Sequence, residues 1–215
     1  MRHMLAGENL ALLTGRQNKS GTVDDCFVTN LPSEMKAAER TIQSYHFPLY
    51  LYPTDEDLDR ARHVNFDPKL YRRLQTLAKH PKRGTPDELA VFDYIYGVLH
   101  CPAYRSTYGE FLKIDFPRIP WPASPDEFWS VSDKGNILRR LRLMEPQAIG
   151  DTPFPFKGEG DAVVEKPRYE GGKVWINETQ YFDRAPEISW EFYIGWRLST
   201  GPEMAERPQG PHAVI

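Results

Sequence analysis

Cysteine is nearly absent. Cys26 and Cys101 are the only two in 215 residues, too few for a disulfide framework. With no secretory segment ahead of them they read as reduced thiols in a cytoplasmic protein. Long apolar runs are missing too. No stretch of about 18 apolar residues occurs, which excludes a membrane-spanning helix, and the N-terminus has no signal-peptide core. Neither sign of charge dominates: 27 Lys and Arg stand against 30 Asp and Glu, a formal charge of −3. That balance argues against a freestanding, sequence-blind DNA binder, which needs a strong positive field. It leaves room for a module with one basic face, because distribution matters more than the total.

Several chemistries are also missing. His63, His80 and His100 have no short metal-ligand spacing, so no metal site is expected. Asp55, Glu56, Asp57 and Asp59 read as a solvated acidic turn. Gly158-Glu159-Gly160 has neither the lysine nor the strand-to-helix context of a phosphate loop. His100-Cys101 is the one adjacent His/Cys pair. As a nucleophilic site it would need an orienting acid and an oxyanion hole, and neither is visible, so Cys101 reads as a helix-end core residue. No catalytic residue and no cofactor are expected.

What is present centres on Thr85 to Pro122. Thr85 reads as an N-cap, Pro86 as the first helical position and Glu88 as the returning carboxylate of a capping box. Leu89, Phe92, Tyr96 and Leu99 then mark one apolar helical face. Pro102 stops or kinks the helix. A second run, Tyr104 to Leu112, carries Tyr104, Tyr108, Phe111 and Leu112 at helical spacing. Phe116-Pro117-Arg118-Ile119-Pro120-Trp121-Pro122 must be extended, since each proline fixes its own φ and restricts its predecessor.

The string from Tyr94 through Pro120, YIYGVLHCPAYRSTYGEFLKIDFPRIP, resembles the hallmark of the C-terminal specificity domain of type ISP restriction-modification enzymes. These are large single-chain proteins with nuclease, ATPase, adenine methyltransferase and target-recognition parts. The resemblance covers most of this chain but only the last part of such an enzyme. The family's Asn-Pro-Pro-Tyr motif is absent from the sequence, as are a glycine loop for S-adenosylmethionine and a Walker lysine. No family catalytic role therefore transfers to any residue here. The resemblance implies a non-enzymatic domain that chooses the target on double-stranded DNA, working with the methyltransferase and ATPase parts of a parent enzyme. Two alternatives remain. One is an interaction subunit, or a remnant, docking on a separate methyltransferase chain; the other is a small hydrolase using His100 and Cys101.

Elsewhere the pattern predicts strands at Leu10 to Gln17, Cys26 to Asn30 and Phe47 to Tyr52. A polar, partly helical link spans Pro32 to Ser44. A helix runs from an Asp67 cap to about Lys79. Ser124-Pro125-Asp126-Glu127 starts another helix, which Gly135 breaks, and beyond it Leu138, Leu141 and Leu143 continue apolar contacts. Val163 to Tyr169 and Lys173 to Asn177 form a hairpin around Gly171-Gly172. The fold class is α/β in the α+β sense: short mixed strands at both ends and a helical middle.

Candidate DNA contacts are basic. Lys69, Arg72, Arg73, Lys82 and Arg83 lie in a stretch with no acid between Asp67 and Asp87. That stretch reads equally as a solvated helix face or as a phosphate-contacting strip. Arg16 and Gln17, at the end of the first strand, fit a loop that reads guanine and adenine edges. Arg105 and Arg118 lie inside the hallmark and serve either DNA or the fold, through carboxylates such as Glu110 or Asp115. The hallmark tyrosines fit either core packing or stacking on bases.

The expected domain covers 1–195, with a non-family tail over 196–215. In the family, a segment like Met1 to Leu10 lies inside the protein, so Met1 reads as an internal methionine used as a start. After Gly195 the family continues with a Gly-Gly-Tyr-Gln-Pro segment and a Lys-Trp-Leu pair, which this tail lacks. With permitted codon choices, a one-base shift lets the tail read as that continuation. Trp196 must be TGG, which followed by a CGN codon for Arg197 yields glycine. Met204-Ala205, ATG-GCN, is forced to tryptophan. The expectation is a frameshift close to Gly195, checked by sequencing the gene.

Overall fold

The computed structural model describes residues 1–16, 26–34, 43–151 and 153–191. The chain divides into two compact units, Met1–Ile149 and Gly150–Ile215. In chain order the first holds α1 (Arg2–Leu5), β1 (Ala11–Gly15), β2 (Cys26–Thr29), β3 (Ser44–Pro48), β4 (Tyr50–Leu51), β5 (His63–Val64), α2 (Pro68–Leu77), α3 (Glu88–Leu99), α4 (Pro102–Leu112), α5 (Pro125–Arg142) and α6 (Pro146–Ile149). The second holds β6 (Phe156–Lys157), β7 (Arg168–Glu170), β8 (Lys173–Trp175), β9 (Tyr181–Phe182) and α7 (Glu187–Glu191). Strands at both ends flank a helical middle, as the sequence implies. Among the described residues every strand pairing is antiparallel.

In the first unit β1 is the central strand of a sheet ordered β2-β1-β3. Helix α3 is the centre of the unit. The sequence marks one apolar face on it, but Val91, Phe92, Tyr94, Tyr96, Val98 and Leu99 are all buried. A helix that is apolar nearly all round belongs inside. It shares a core with Cys26 and Val28 of β2, Leu74 of α2, Tyr104 and Leu112 of α4 and Phe128 of α5. Its cap lies two residues later than expected. Asp87, not Thr85, accepts the Ala90 N–H at 2.8 Å, and Glu88 accepts a hydrogen bond from the Tyr50 hydroxyl at 3.0 Å instead of closing a capping box.

Helix α5 corrects two expectations. Gly135 does not break it; α5 is continuous over 18 residues. A Cβ at Gly135 would fall on the Asp93 carbonyl, and one at Gly97 would lie 2.6 Å from the Val131 carbonyl oxygen. Both glycines let α3 and α5 approach backbone to backbone. The buried face of α5 is Phe128, Ser132, Gly135 and Arg139, spaced four, three and four. That register turns Leu138 and Leu141 outward, where they are exposed, and Arg139 inward. Arg139 Nε meets Asp93 Oδ1 at 2.6 Å, with both side chains almost completely buried. Asn136 Nδ2 donates to the other carboxylate oxygen at 3.0 Å, and the Ser132 hydroxyl donates to the Ala90 carbonyl at 2.9 Å.

The second unit is a four-stranded sheet ordered β6-β9-β8-β7. Gly171 and Gly172, with φ of 59° and 75°, form the β7–β8 turn, as two positive-φ residues in a hairpin loop require. Strand β7 starts only at Arg168, because Pro167 before it has no N–H to give a ladder. Strand β8 ends at Trp175, as Asn177 Oδ1 gathers the N–H groups of Thr179 and Gln180 at 3.0 and 2.7 Å. Gln180 Oε1 in turn accepts from Ala162 N and Asn177 Nδ2. This buried amide pair ties the Gly158–Ala162 loop to the sheet, so that loop's role is structural.

Candidate nucleic-acid interface

The hallmark string folds as a unit: two helices and the extended strap that follows them. Pro102 starts α4 rather than kinking α3, occupying the position where a missing N–H costs nothing. The Tyr94 hydroxyl, from α3, donates to the Pro120 carbonyl at 3.0 Å. The Tyr104 hydroxyl, from α4, donates to the Arg118 carbonyl at 2.9 Å. Both rings are buried, and burial pushes the Tyr94 hydroxyl up to about 12. These two hallmark tyrosines therefore bind the strap and are not open to bases. Phe116 anchors the strap's start, edge-on to Tyr45 and Phe47 of β3 at 5.1 and 5.5 Å.

Three arginines lie along this strap. At its start Arg16 Nε meets Asp115 Oδ1 at 3.1 Å; the Phe116 N–H, then Arg16, hold the Asp115 carboxyl below its usual value. In the middle Arg118 is exposed, its backbone held by Tyr104. At the end the Arg73 guanidinium, from α2, lies 4.6 Å from the Trp121 ring centroid. Six residues of extended chain separate Asp115 from Trp121, at most roughly 20 Å. That length matches about six base-pair steps of duplex.

Helix α2 adds to the same end. Asp67 caps it by accepting from Lys69 N and Leu70 N, both at 2.9 Å. Leu74 is its buried anchor, which leaves Lys69, Arg72 and Arg73 exposed at spacings of three and one. Lys69, Arg72 and Lys82 have no carboxylate at ion-pair distance among the described residues.

The remaining sequence candidates go elsewhere. Arg83 makes a two-pronged ion pair with Asp133 of α5, 2.7 Å on each side, and covers the Trp129 ring at 4.1 Å. It pins the α2–α3 connection to α5. Arg105 is half-buried; its Nε donates to the Leu99 carbonyl at 2.6 Å and its Nη2 to His100 Nδ1 at 3.0 Å. Gln17 lies outside the described residues, as does the 196–215 tail. Trp121, which braces Arg73, was missed as a site residue. Its signal was the Pro-Trp-Pro context, which denies the ring a regular element to pack in.

The His100-Cys101 pair is not a nucleophile and base. Arginine only donates, so His100 Nδ1 is the acceptor of the Arg105 bond and Nε2 carries the proton, given to the Cys26 carbonyl at 3.2 Å. Both ring nitrogens are used in bracing α3 and α4 against β2. In this arrangement neither ring nitrogen is turned on Cys101 as a base. Among the described residues Cys26 and Cys101 form no disulfide. Among the described residues no three His, Cys, Asp or Glu side chains converge on a metal site.

The fold is thus a mixed α+β domain that holds cations out on a braced, proline-rich strap. Residues 1–197 match the model of the Type ISP C-terminal specificity domain, and the chain belongs to that family. No curated protein matches it. Among solved structures it is similar to the ATP-dependent Type ISP restriction-modification enzyme LlaBIII bound to DNA, at 18% identity and a TM-score of 0.64, covering 88% of this chain and 12% of that one. It is similar to DrdV in a DNA complex, at 24% identity and a TM-score of 0.63, covering 88% and 19%. It is also similar to a nuclease-deletion mutant of the Type ISP enzyme LlaGI with a DNA substrate mimic, at 23% identity and a TM-score of 0.60, covering 88% and 16%. The chain therefore spans less than a fifth of the length of each of these proteins.

Proposed function

We propose that this chain is the DNA target-recognition part of a type ISP restriction-modification system, acting on double-stranded DNA in the cytoplasm beside methyltransferase and ATPase parts. The observation that carries the reading is the strap. Its backbone is fixed by two buried tyrosine hydroxyls; it carries exposed Arg118, with Arg16 against Asp115 at its start and Arg73 of α2 against Trp121 at its end, beside Lys69 and Arg72 of α2. Membership of a specificity-domain family supports it, as do structural neighbours solved with DNA. Arg118, on the strap, is assigned to base edges, and Lys69, Arg72 and Lys82 to phosphates, which position without reading sequence.

The test is a salt series of duplex-binding titrations on the whole chain. Substituting Lys69 and Arg72 by Gln lowers the slope of log affinity against log salt by about 0.9 per lost phosphate contact, equally for all sequences. Arg118→Gln instead weakens discrimination between sequences. Unchanged slopes and unchanged discrimination would sink the reading.

A second reading, docking on a catalytic chain, is favoured by one feature. Tyr108, Phe111 and Ile114 stand exposed around the end of α4, Phe111 at 67%. The two readings are compatible, since a target-recognition part must also hold on to the part that does the chemistry.

A further inference from the structure

The register of the second unit's sheet gathers basic and aromatic side chains on one face. Tyr181 stands opposite both Lys157 and Trp175, and Trp175 opposite Arg168. Lys173 precedes Trp175 by two residues and so shares its face. The Trp175 and Tyr181 rings are 4.5 Å apart. The Arg168 guanidinium lies 5.0 Å from the Trp175 centroid. Lys173 Nζ lies 4.6 Å from the Tyr181 centroid and 5.8 Å from that of Trp175. Two carboxylates share the face. Asp183 takes Lys157 at 2.6 Å, and Glu170 approaches Arg168 at 3.7 Å. Lys173 has no carboxylate at ion-pair distance among the described residues. The indole N–H of Trp175 is buried and meets no acceptor among the described residues.

We propose that this face is a second phosphate-contacting surface for duplex DNA, separate in sequence from the strap; it rests on the DNA reading above. Guanidinium and ammonium groups only donate hydrogen bonds, so the complementary ligand is an anion rich in acceptors. The aromatic rings hold Arg168 and Lys173 in place without neutralising them; Glu170 reaches Arg168 only at 3.7 Å, against 2.6 Å for the pair that occupies Lys157. The same two cations sit over the ring faces that a stacking base would need. The contact is therefore to the sugar–phosphate backbone and carries no sequence information.

The test uses the full chain, duplexes of unrelated sequence and salt from about 50 to 200 mM. Arg168→Gln with Lys173→Gln lowers the salt slope by about 2, and Lys173→Gln alone by about 1, to the same extent on every duplex. The single variant, checked by its melting temperature, stands in if the double variant does not fold. If both variants keep the wild-type slope while the Lys69/Arg72 variant loses it, this proposal falls and the DNA reading stands. If the unaltered chain binds no duplex at the lowest salt, both fall. If the variants change self-association in light scattering but not DNA binding, the face belongs to a second copy of the chain and the assignment to DNA is wrong.

Discussion

At the scale of single residues, Asp93 decides most. Its carboxylate lies in the α3–α5 seam and is matched there by Arg139 and Asn136. Neutralising it leaves the buried guanidinium only the longer, partly exposed contact with Glu145, 3.7 Å away. Asp93→Asn should therefore cost about 3–5 kcal/mol in a denaturant titration, and a loss below about 1 kcal/mol would contradict the pairing. Two histidines give the fold a pH dependence. His3 Nδ1 accepts the Tyr52 N–H at 2.9 Å. Burial, then Arg2 and the N-terminal ammonium, hold its pKa below the ordinary 6.5. Burial first, and the N-terminal ammonium second, do the same for His46, which sits 2.6 Å from the Ser33 hydroxyl. As pH falls the unfolded chain takes up these protons first. Their contribution is complete above about 6.5 and is lost as pH falls through the lower folded values. The melting temperature should drop from pH 7 to pH 5, less so in His46→Asn; a flat profile would refute this.

At the scale of elements, the end of α5 stands out. Met144 N bonds the Leu141 carbonyl at 3.0 Å and Glu145 N the Arg140 carbonyl at 3.0 Å, the two bonds of a Schellman cap. The residue in the left-handed position is Met144, with φ of 54°, where glycine is usual. Met144 is largely exposed, so little packing is lost with its side chain. Met144→Gly should stabilise by roughly 1 kcal/mol, raising the melting temperature by about 2–4 °C. A decrease would mean that the side chain packs in a way its exposure does not show. The apolar row Ile137, Leu141 and Met144 leading to this cap is exposed as well.

At the scale of the whole molecule, the chain belongs to a specificity-domain family and spans less than a fifth of each structural neighbour. Incubated with duplex DNA and S-adenosylmethionine, it should transfer no methyl group to adenine. Its own affinity for DNA should be weak, because a chain of net charge −3 offers phosphates only local basic surfaces. Radiolabel transfer and titration near physiological salt check the two halves. Methylated adenine, or tight sequence-selective binding, would overturn the respective half. Among the described residues no helix is long and apolar enough to cross a membrane.

Local chemistry made much of this legible. The Asp67 cap, the Ser124 start of α5, the Gly171-Gly172 hairpin, the strand β1 and the extended Phe116–Pro122 strap each depend on a few adjacent residues, so sequence alone determined them. The hallmark string likewise determined the family. What neighbours across the fold decide could not be read that way. Which face of α5 is buried depends on Gly135 meeting Gly97, and that meeting turned Arg139 inward and Leu138 outward against their hydropathy. Which arginines stay exposed depends on partners set by the fold: Asp133, 50 residues away, occupies Arg83, the turn from α3 into α4 brings Leu99 and His100 onto Arg105, and Trp121 lies against Arg73. A sequence lists charges in order, whereas an ion pair forms by distance. Only the tertiary structure brings together residues 50 positions apart and so separates the cations that brace the fold from those that stay exposed.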